Sequence, residues 1–215
     1  MNKVIRRAAV LGSGVMGSTI ACHLANVGMN VLLLDMVPRD LSQQQKDDPQ
    51  SRNRLADQAL KSAIKSKPAP LFKKEYGDRI TTGNFDDHFD QIGECDWVIE
   101  VVVEDLSIKK KIFDQVDQFR KQGSLVSSNT SGIPIHLMLE GRSEDFKKNF
   151  LGTHFFNPPR YLRLLEIIPT AETDPKVIDF WMDFGRTRLG KETILCKDTP
   201  AFIANRIGVY AMAKI

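Results

Sequence analysis

The sequence predicts a doubly wound α/β fold, with a mainly parallel sheet and a projecting helical insert. Three observations carry that expectation. Short apolar runs alternate with helical stretches along the whole chain. The first apolar run, "AAVL", passes through a glycine turn, "GSGVMG", directly into the helical stretch "STIACHLANVG". Residues 39–76 then abandon the alternation for a polar run, rich in Gln and Lys, that is too long for a plain connection.

Each element follows in order. "NVLLLD" is a second strand, and its unbroken apolar character suits a parallel sheet buried on both faces. In the polar run, Leu41, Leu55, Leu60 and Ile64 predict one or two helices, interrupted near Pro68 and Pro70. "RITTG" is a short strand and "DWVIEVVVED" a long apolar one. The helix "LSIKKKIFDQVDQFRKQG" turns Leu106, Ile108, Ile112, Phe113, Val116 and Phe119 inward, with Lys109, Lys110 and Lys111 on a solvated face. "SLVSSNTSG" is a strand running out into a Ser/Thr/Asn loop. "NFLGTHFFNPP" and "RLLEIIP" are two further strands, "DPKVIDFWMDFGRTRLG" a helix and "KETILCKD" a strand. "TPAFIANRIGVYAMAKI" opens another helix. Its Phe202, Ile203, Ile207, Val209 and Met212 need a surface to pack on, so the polypeptide is expected to continue or a second chain to cover them.

Composition bounds the function. A net charge of +3 is too weak for a broad nucleic-acid footprint. Cys22, Cys95 and Cys196 lie far apart with no CxxC spacing, which predicts buried thiols in a reducing compartment and no metal or disulfide framework. The basic residues before the first apolar run imitate a secretion signal, but the run breaks at Gly12 and continues as a domain. No stretch approaches the ~20 apolar residues of a membrane span. A cytoplasmic protein is expected, or a mitochondrial matrix one in a eukaryote.

The glycine turn and the next strand point to a dinucleotide. Gly12 permits the tight turn, Gly14 lets the backbone approach a pyrophosphate, and Gly17 lets the helix lie close to the sheet. Asp35 ends the second strand, where a carboxylate would accept hydrogen bonds from the adenosine ribose and repel a 2′-phosphate. That favours NAD over NADP, with Arg39 a mild counter-signal.

Four positions apart in the apolar run, Glu100 and Glu104 share a face if the strand is regular. Glu104 suits the carboxyl end of the strand, overlooking the ligand crevice, and Glu100 an internal network. "GTHFFNPPR" holds His154 near a strand end, with Asn157 at the mouth. Glu166, in "RLLEIIP", follows twelve residues later, the spacing of two adjacent strands joined by a short turn. A glutamate bonded to one imidazole nitrogen fixes the tautomer and leaves the other nitrogen as a base. Next to a nicotinamide, such a base would take the proton of an alcohol. His23, His88 and His136 lack such company.

At this point the chain resembles the L-3-hydroxyacyl-CoA dehydrogenases of fatty-acid β-oxidation. The matching stretches, "GSGVMGSTIA", "VIEVVVEDLSIKKKIF", "SSNTSGIPI", "GTHFFNPPRYLRLLEIIP" and "KDTPAFIANR", appear in family order and cover nearly the whole chain. The resemblance implies a Rossmann-type fold, NAD as cofactor and an acyl-CoA thioester as substrate. It implies that His154 is the base and Glu166 its partner, and that Ser131 and Asn205 hydrogen-bond the reacting oxygen or the thioester carbonyl. Glu104, Lys109 and Asn157 would surround the nicotinamide half of the cofactor. The insert would flank the CoA, with Lys61, Lys65 and Lys67 as candidates for its phosphates. Residues 1–198 would form the NAD-binding domain, with 39–76 as its insert. Residues 199–215 would begin an all-helical domain of a longer, dimeric or multifunctional enzyme. Ala201, where glycine is common, Tyr210 and "NPPRYLR" depart from the family pattern. Two other readings keep the fold: a dehydrogenase of free hydroxy acids or sugar acids, and a non-catalytic nucleotide-binding domain.

Overall fold

Eight strands form one sheet in the order β3-β2-β1-β4-β5-β6-β7-β8 in a computed structural model that describes residues 3–214. In chain order the elements are β1 (Arg7–Leu11), α1 (Val15–Asn26), β2 (Asn30–Asp35), α2 (Pro49–Arg52), α3 (Arg54–Lys65), β3 (Ile80–Asn84) and α4 (Phe85–His88). They continue with β4 (Trp97–Glu100), α5 (Leu106–Phe119), β5 (Leu125–Ser128), α6 (Glu144–Lys148), β6 (Phe150–Phe155), β7 (Leu164–Pro169), α7 (Pro175–Thr187), β8 (Glu192–Leu195) and α8 (Ala204–Met212).

The first six strands run parallel, and the chain reverses between β6 and β7, whose pairing is antiparallel. The reversal follows from the short "NPPRYLR" connection, which is too brief for the crossover that parallel neighbours need. Apolar side chains fill both faces. On one, Trp97 meets Trp181 of α7 with ring centroids 4.6 Å apart. On the other, Phe113 of α5 packs edge-on against Phe146 and Phe150. The three cysteines are free and buried.

Four expectations need correction. Ile108 and Phe119 of α5 are exposed and do not turn inward. His136 does have a carboxylate neighbour, Asp198, brought from the distant loop after β8. The other two concern β4 and Lys109. "DWVIEVVVED" is not one long strand: β4 stops at Glu100, and Glu104 lies beyond it in a bend. The alternation that would have put both acids on one face therefore ends before Glu104. Lys109 does not belong to a solvated face, for it is 1% exposed. The physical reason is Glu100, equally buried, whose charge draws the ammonium inward. In the insert, α2 and α3 form with a break before Pro68, and α3 packs on α1 and β2.

Gly12 adopts φ 105°, a backbone region that L side chains avoid. Gly17 is dictated by packing instead: an added Cβ would fall 1.8 Å from the Gly12 carbonyl oxygen. Gly17→Ala is therefore expected to lower the stability of the ligand-free protein by about 3 kcal/mol through backbone overpacking. Chemical denaturation checks this; an unchanged midpoint would contradict the packing.

Candidate active site

The glycine bend opens a cleft of about 1050 Å³, lined by Gly12, Gly14, Asp35, Val102, Glu104 and Ser131 among others. It lies at the carboxyl ends of β1, β4 and β5, where doubly wound sheets bind ligands. No side chain caps the N-terminus of α1, so its first amides remain available. At Gly14 an added Cβ would meet nothing within 4 Å, so the space beside this backbone is open. Asp35 is half-buried at the end of β2. One of its oxygens accepts from the Ser13 backbone N–H at 2.7 Å and the Ser13 hydroxyl at 2.5 Å. The other accepts from the Met36 N–H at 2.7 Å. These bonds aim the carboxylate and leave lone pairs for further donors.

His154 and Glu166 are directly opposite partners in the β6–β7 ladder. Nδ1 of the imidazole stands 2.7 Å from Oε2 of the carboxylate, with His154 4% and Glu166 1% exposed. The ring packs against Phe156 and Phe202, at centroid distances of 4.4 and 5.8 Å. The carboxylate requires Nδ1 to carry the hydrogen, so Nε2 is the basic nitrogen. Nε2 has no protein partner among the described residues and keeps contact with the surface. Burial pushes the Glu166 carboxyl up. His154 and the backbone N–H groups of Ala204 and Ile203 outweigh it, so the group lies below the usual carboxylate range.

The loop after β5 brings the other predicted residues near. Asn129 accepts at Oδ1 from the Phe155 N–H at 2.9 Å, tying this loop to β6 beside His154. Ser131 is exposed at the cleft, and its carbonyl accepts from Asn205 Nδ2 at 3.2 Å. Glu104 accepts from the Ser131 N–H at 2.9 Å and from the Thr130 hydroxyl. Burial pushes the Glu104 carboxyl up, but Thr130, Lys109 and Ser131 together hold it below the ordinary range. Lys109 Nζ reaches Glu100 at 2.7 Å and Glu104 at 3.2 Å, joining the buried acid to the one on the cleft wall. Glu100 also accepts from Ser128 Oγ at 2.5 Å and the Val102 N–H at 2.7 Å.

Comparison with known proteins places this geometry. Residues 7–199 match the family described as "3-hydroxyacyl-CoA dehydrogenase, NAD binding domain". The chain belongs to that family. A protein of Bacillus subtilis (strain 168), described as a probable 3-hydroxyacyl-CoA dehydrogenase, is 58% identical over 99% of this chain and 28% of its own length. A similarly described protein of Deinococcus radiodurans is 46% identical over 98% of this chain and 58% of its own length. The chain therefore spans less than two thirds of either relative. Among solved structures, M. tuberculosis FadB2 matches with TM-score 0.76 and 28% identity, over 99% of this chain and 73% of that one. (S)-3-hydroxybutyryl-CoA dehydrogenase PaaH1 from Ralstonia eutropha also matches with TM-score 0.76 and 28% identity, over 98% and 70%.

The residues present fit the NAD of this dehydrogenase family: open space at Gly14, uncapped amides on α1, and an aimed carboxylate at Asp35. Asn157 adjoins the cleft across the glycine turn. It lines a neighbouring groove of about 590 Å³ with Gly14, Ser62, Lys67 and Arg160, and Gly14 is a wall common to both spaces. Of the insert lysines, Lys67 faces this groove, whereas Lys61 lines a separate depression with Asp48 and Arg54.

Sequence reading missed four features. Ser13 sits inside the glycine motif yet serves Asp35. The Lys109–Glu100 pair was signalled by an acid within a buried strand, which demands a cation. Arg160 donates to the carbonyls of Ala69 and Leu71 and stacks on Phe72, fastening the insert to the turn after β6. The amides of residues 203 and 204 on Glu166 had no local signal.

Gly14→Ala should alter ligand-free stability by less than about 1 kcal/mol, the cost of a poorer helix cap. It should weaken NAD about tenfold or more by filling the open space. Calorimetry and melting together separate this from Gly17→Ala. Burial holds the Glu100 carboxyl above its usual range, with Lys109 opposing. An acid whose folded pKa exceeds its unfolded one costs stability as pH rises past the unfolded value. Lys109→Met should thus cost about 3–5 kcal/mol at pH 7 and less at pH 5. A penalty independent of pH in urea melts would contradict the pairing.

Proposed function

We propose that this chain is the NAD-binding portion of an enzyme that oxidises L-3-hydroxyacyl-CoA to 3-ketoacyl-CoA in fatty-acid β-oxidation. The observation that carries the reading is the 2.7 Å bond between His154 Nδ1 and Glu166, on a strand that Asn129 of the glycine-bend cleft wall binds at the next residue, Phe155. NAD, when bound, accepts the hydride from the substrate carbon. Gly12, Gly14 and Gly17 would hold its pyrophosphate end, Asp35 its adenosine ribose, and Glu104 the wall of its nicotinamide half. Lys109 acts from within by orienting Glu104, and Asn157 borders the site from the adjoining groove.

His154 Nε2 takes the proton of the 3-hydroxyl as the carbonyl forms. Nδ1–H keeps its bond to Glu166, whose charge stabilises the imidazolium. Ser131 and Asn205, already joined through a hydrogen bond, would present donors to the substrate oxygens. The groove beside Lys67 suits the CoA moiety, with the ammonium toward its phosphates. We read residues 1–198 as one domain and 199–215 as the start of a helical one. On α8, Ile207, Val209, Tyr210 and Met212 are all more than half exposed. A longer dimeric or multifunctional protein agrees with this surface. A relative from Rickettsia felis is itself described as a fatty acid oxidation complex trifunctional enzyme.

In the full-length protein, His154→Ala should lower kcat by about 10²–10⁴-fold with NAD affinity unchanged. NADH formation from a 3-hydroxyacyl-CoA, set against the free 3-hydroxy acid, checks both chemistry and substrate. Unchanged turnover removes the base, and preference for the free acid removes the thioester.

A further inference from the structure

The first turn of α8 begins without a local cap. Its N-cap residue is Ile203, which has no side-chain acceptor, and no side chain caps the helix from nearby sequence. The orphan amides are taken up by Glu166 instead, 37 and 38 residues earlier in the chain. Glu166 Oε1 accepts from the Ile203 N–H at 3.1 Å and the Ala204 N–H at 2.8 Å, while Oε2 holds His154. Both oxygens are therefore engaged, and the carboxylate plane is set by α8 on one side and the imidazole on the other.

The segment that delivers those amides is anchored at its start. Asp198 accepts from the Ile135 N–H at 2.7 Å, the His136 N–H at 2.9 Å and His136 Nδ1 at 2.6 Å. It thereby clasps the 3-10 turn Ile135–Met138, which follows the Ser131 loop. Between the anchor and the helix, Ala201 and Phe202 adopt φ of 61° and 44°, a left-handed backbone that non-glycine residues enter at a cost. Phe202 is 2% exposed and packs on the His154 ring. Its burial holds the turn in that conformation and covers the imidazole at once.

We propose that residues 198–204 form a strap that positions the base: Asp198 anchors it, Phe202 covers His154, and the Ile203 and Ala204 amides fix Glu166 in the orientation His154 needs. Asp198 is a positioning residue, acting on His154 through this strap. The proposal rests on the reading of His154 as the base. From β6, Glu166 is faced by His154, and from the loop after β8 by the Cys196 thiol, which burial and Glu166 push up to about 12. From α8 it is faced by backbone amides. Each amide lowers the carboxyl, so loss of one must raise it.

The test uses the full-length protein with the Ala204 amide replaced by an ester, which deletes one donor and alters no side chain. Glu166 contributes stability above its unfolded value that is lost as pH falls through its folded value. In the ester protein the acid loss of melting temperature, which starts near the unfolded value in both proteins, should be complete about half a pH unit higher and be smaller in total, the effect of one helix-terminal dipole. The acid limb of the kcat/KM profile should move in the same direction. Asp198→Ala should lower kcat at least ~10-fold, within the range of base misplacement, with NAD affinity within twofold. Asp198→Asn, which keeps one acceptor, should restore part of it. Superimposable pH profiles for ester and parent overturn the strap, as does an Asp198→Ala protein with parental kcat. If Asp198→Ala does not fold, the ester decides alone. If His154→Ala keeps full turnover, the base reading fails; if His154→Ala is inactive and the ester is silent, only the strap fails.

Discussion

One buried carboxylate organises the end of this domain where β6, β7 and α8 meet. Glu166 lies within the antiparallel pair of an otherwise parallel sheet, on a strand flanked by β6 and β8, facing His154 across the ladder. A charge that deep is costly unless every lone pair finds a donor. Here the donors are an imidazole N–H and two backbone amides from the start of α8. The desolvation cost thus enforces two things together: the tautomer of the histidine and the place where the last helix begins. A neutral side chain of equal shape would leave both underdetermined.

The cofactor end is built on a different economy. There the backbone does the work, and glycines are chosen for what they lack. Gly17 is absent a Cβ because the Gly12 carbonyl occupies that space, whereas Gly14 is absent one with nothing in the way. The first omission serves the fold and the second leaves room for a ligand. Between the two ends runs a chain of contacts, from Glu100 through Lys109 to Glu104 and on to the Ser131 loop. Asn205 touches the same loop from the far side. The cleft wall, the Ser131 loop and the start of α8 are therefore joined by one continuous polar scaffold.

Much of this was legible in one dimension. The βαβ start, the glycine motif, Asp35 at a strand end, and the pairing of His154 with Glu166 all depend on residues close in sequence or on strands joined by a short turn. Local geometry then leaves few alternatives. The length of the fourth strand and the burial of Lys109 were not legible. Apolar content continues past Glu100, so periodicity could not show where pairing ends. Three consecutive lysines look alike until a buried acid selects one. Asn157 lines the groove that shares Gly14 with the cleft because the turn after β6 folds toward the insert, where Arg160 holds it.

The sequence by itself determined the doubly wound class, the glycine cradle and the pairing of His154 with Glu166, because alternation, turn chemistry and short-range strand pairing are local rules. Only the tertiary structure decided which lysine is internal, what fills both oxygens of Glu166, and how the segment from Asp198 to Ala204 reaches that carboxylate. Those outcomes turn on the cost of burying charge, and that cost exists only once distant segments have excluded water together.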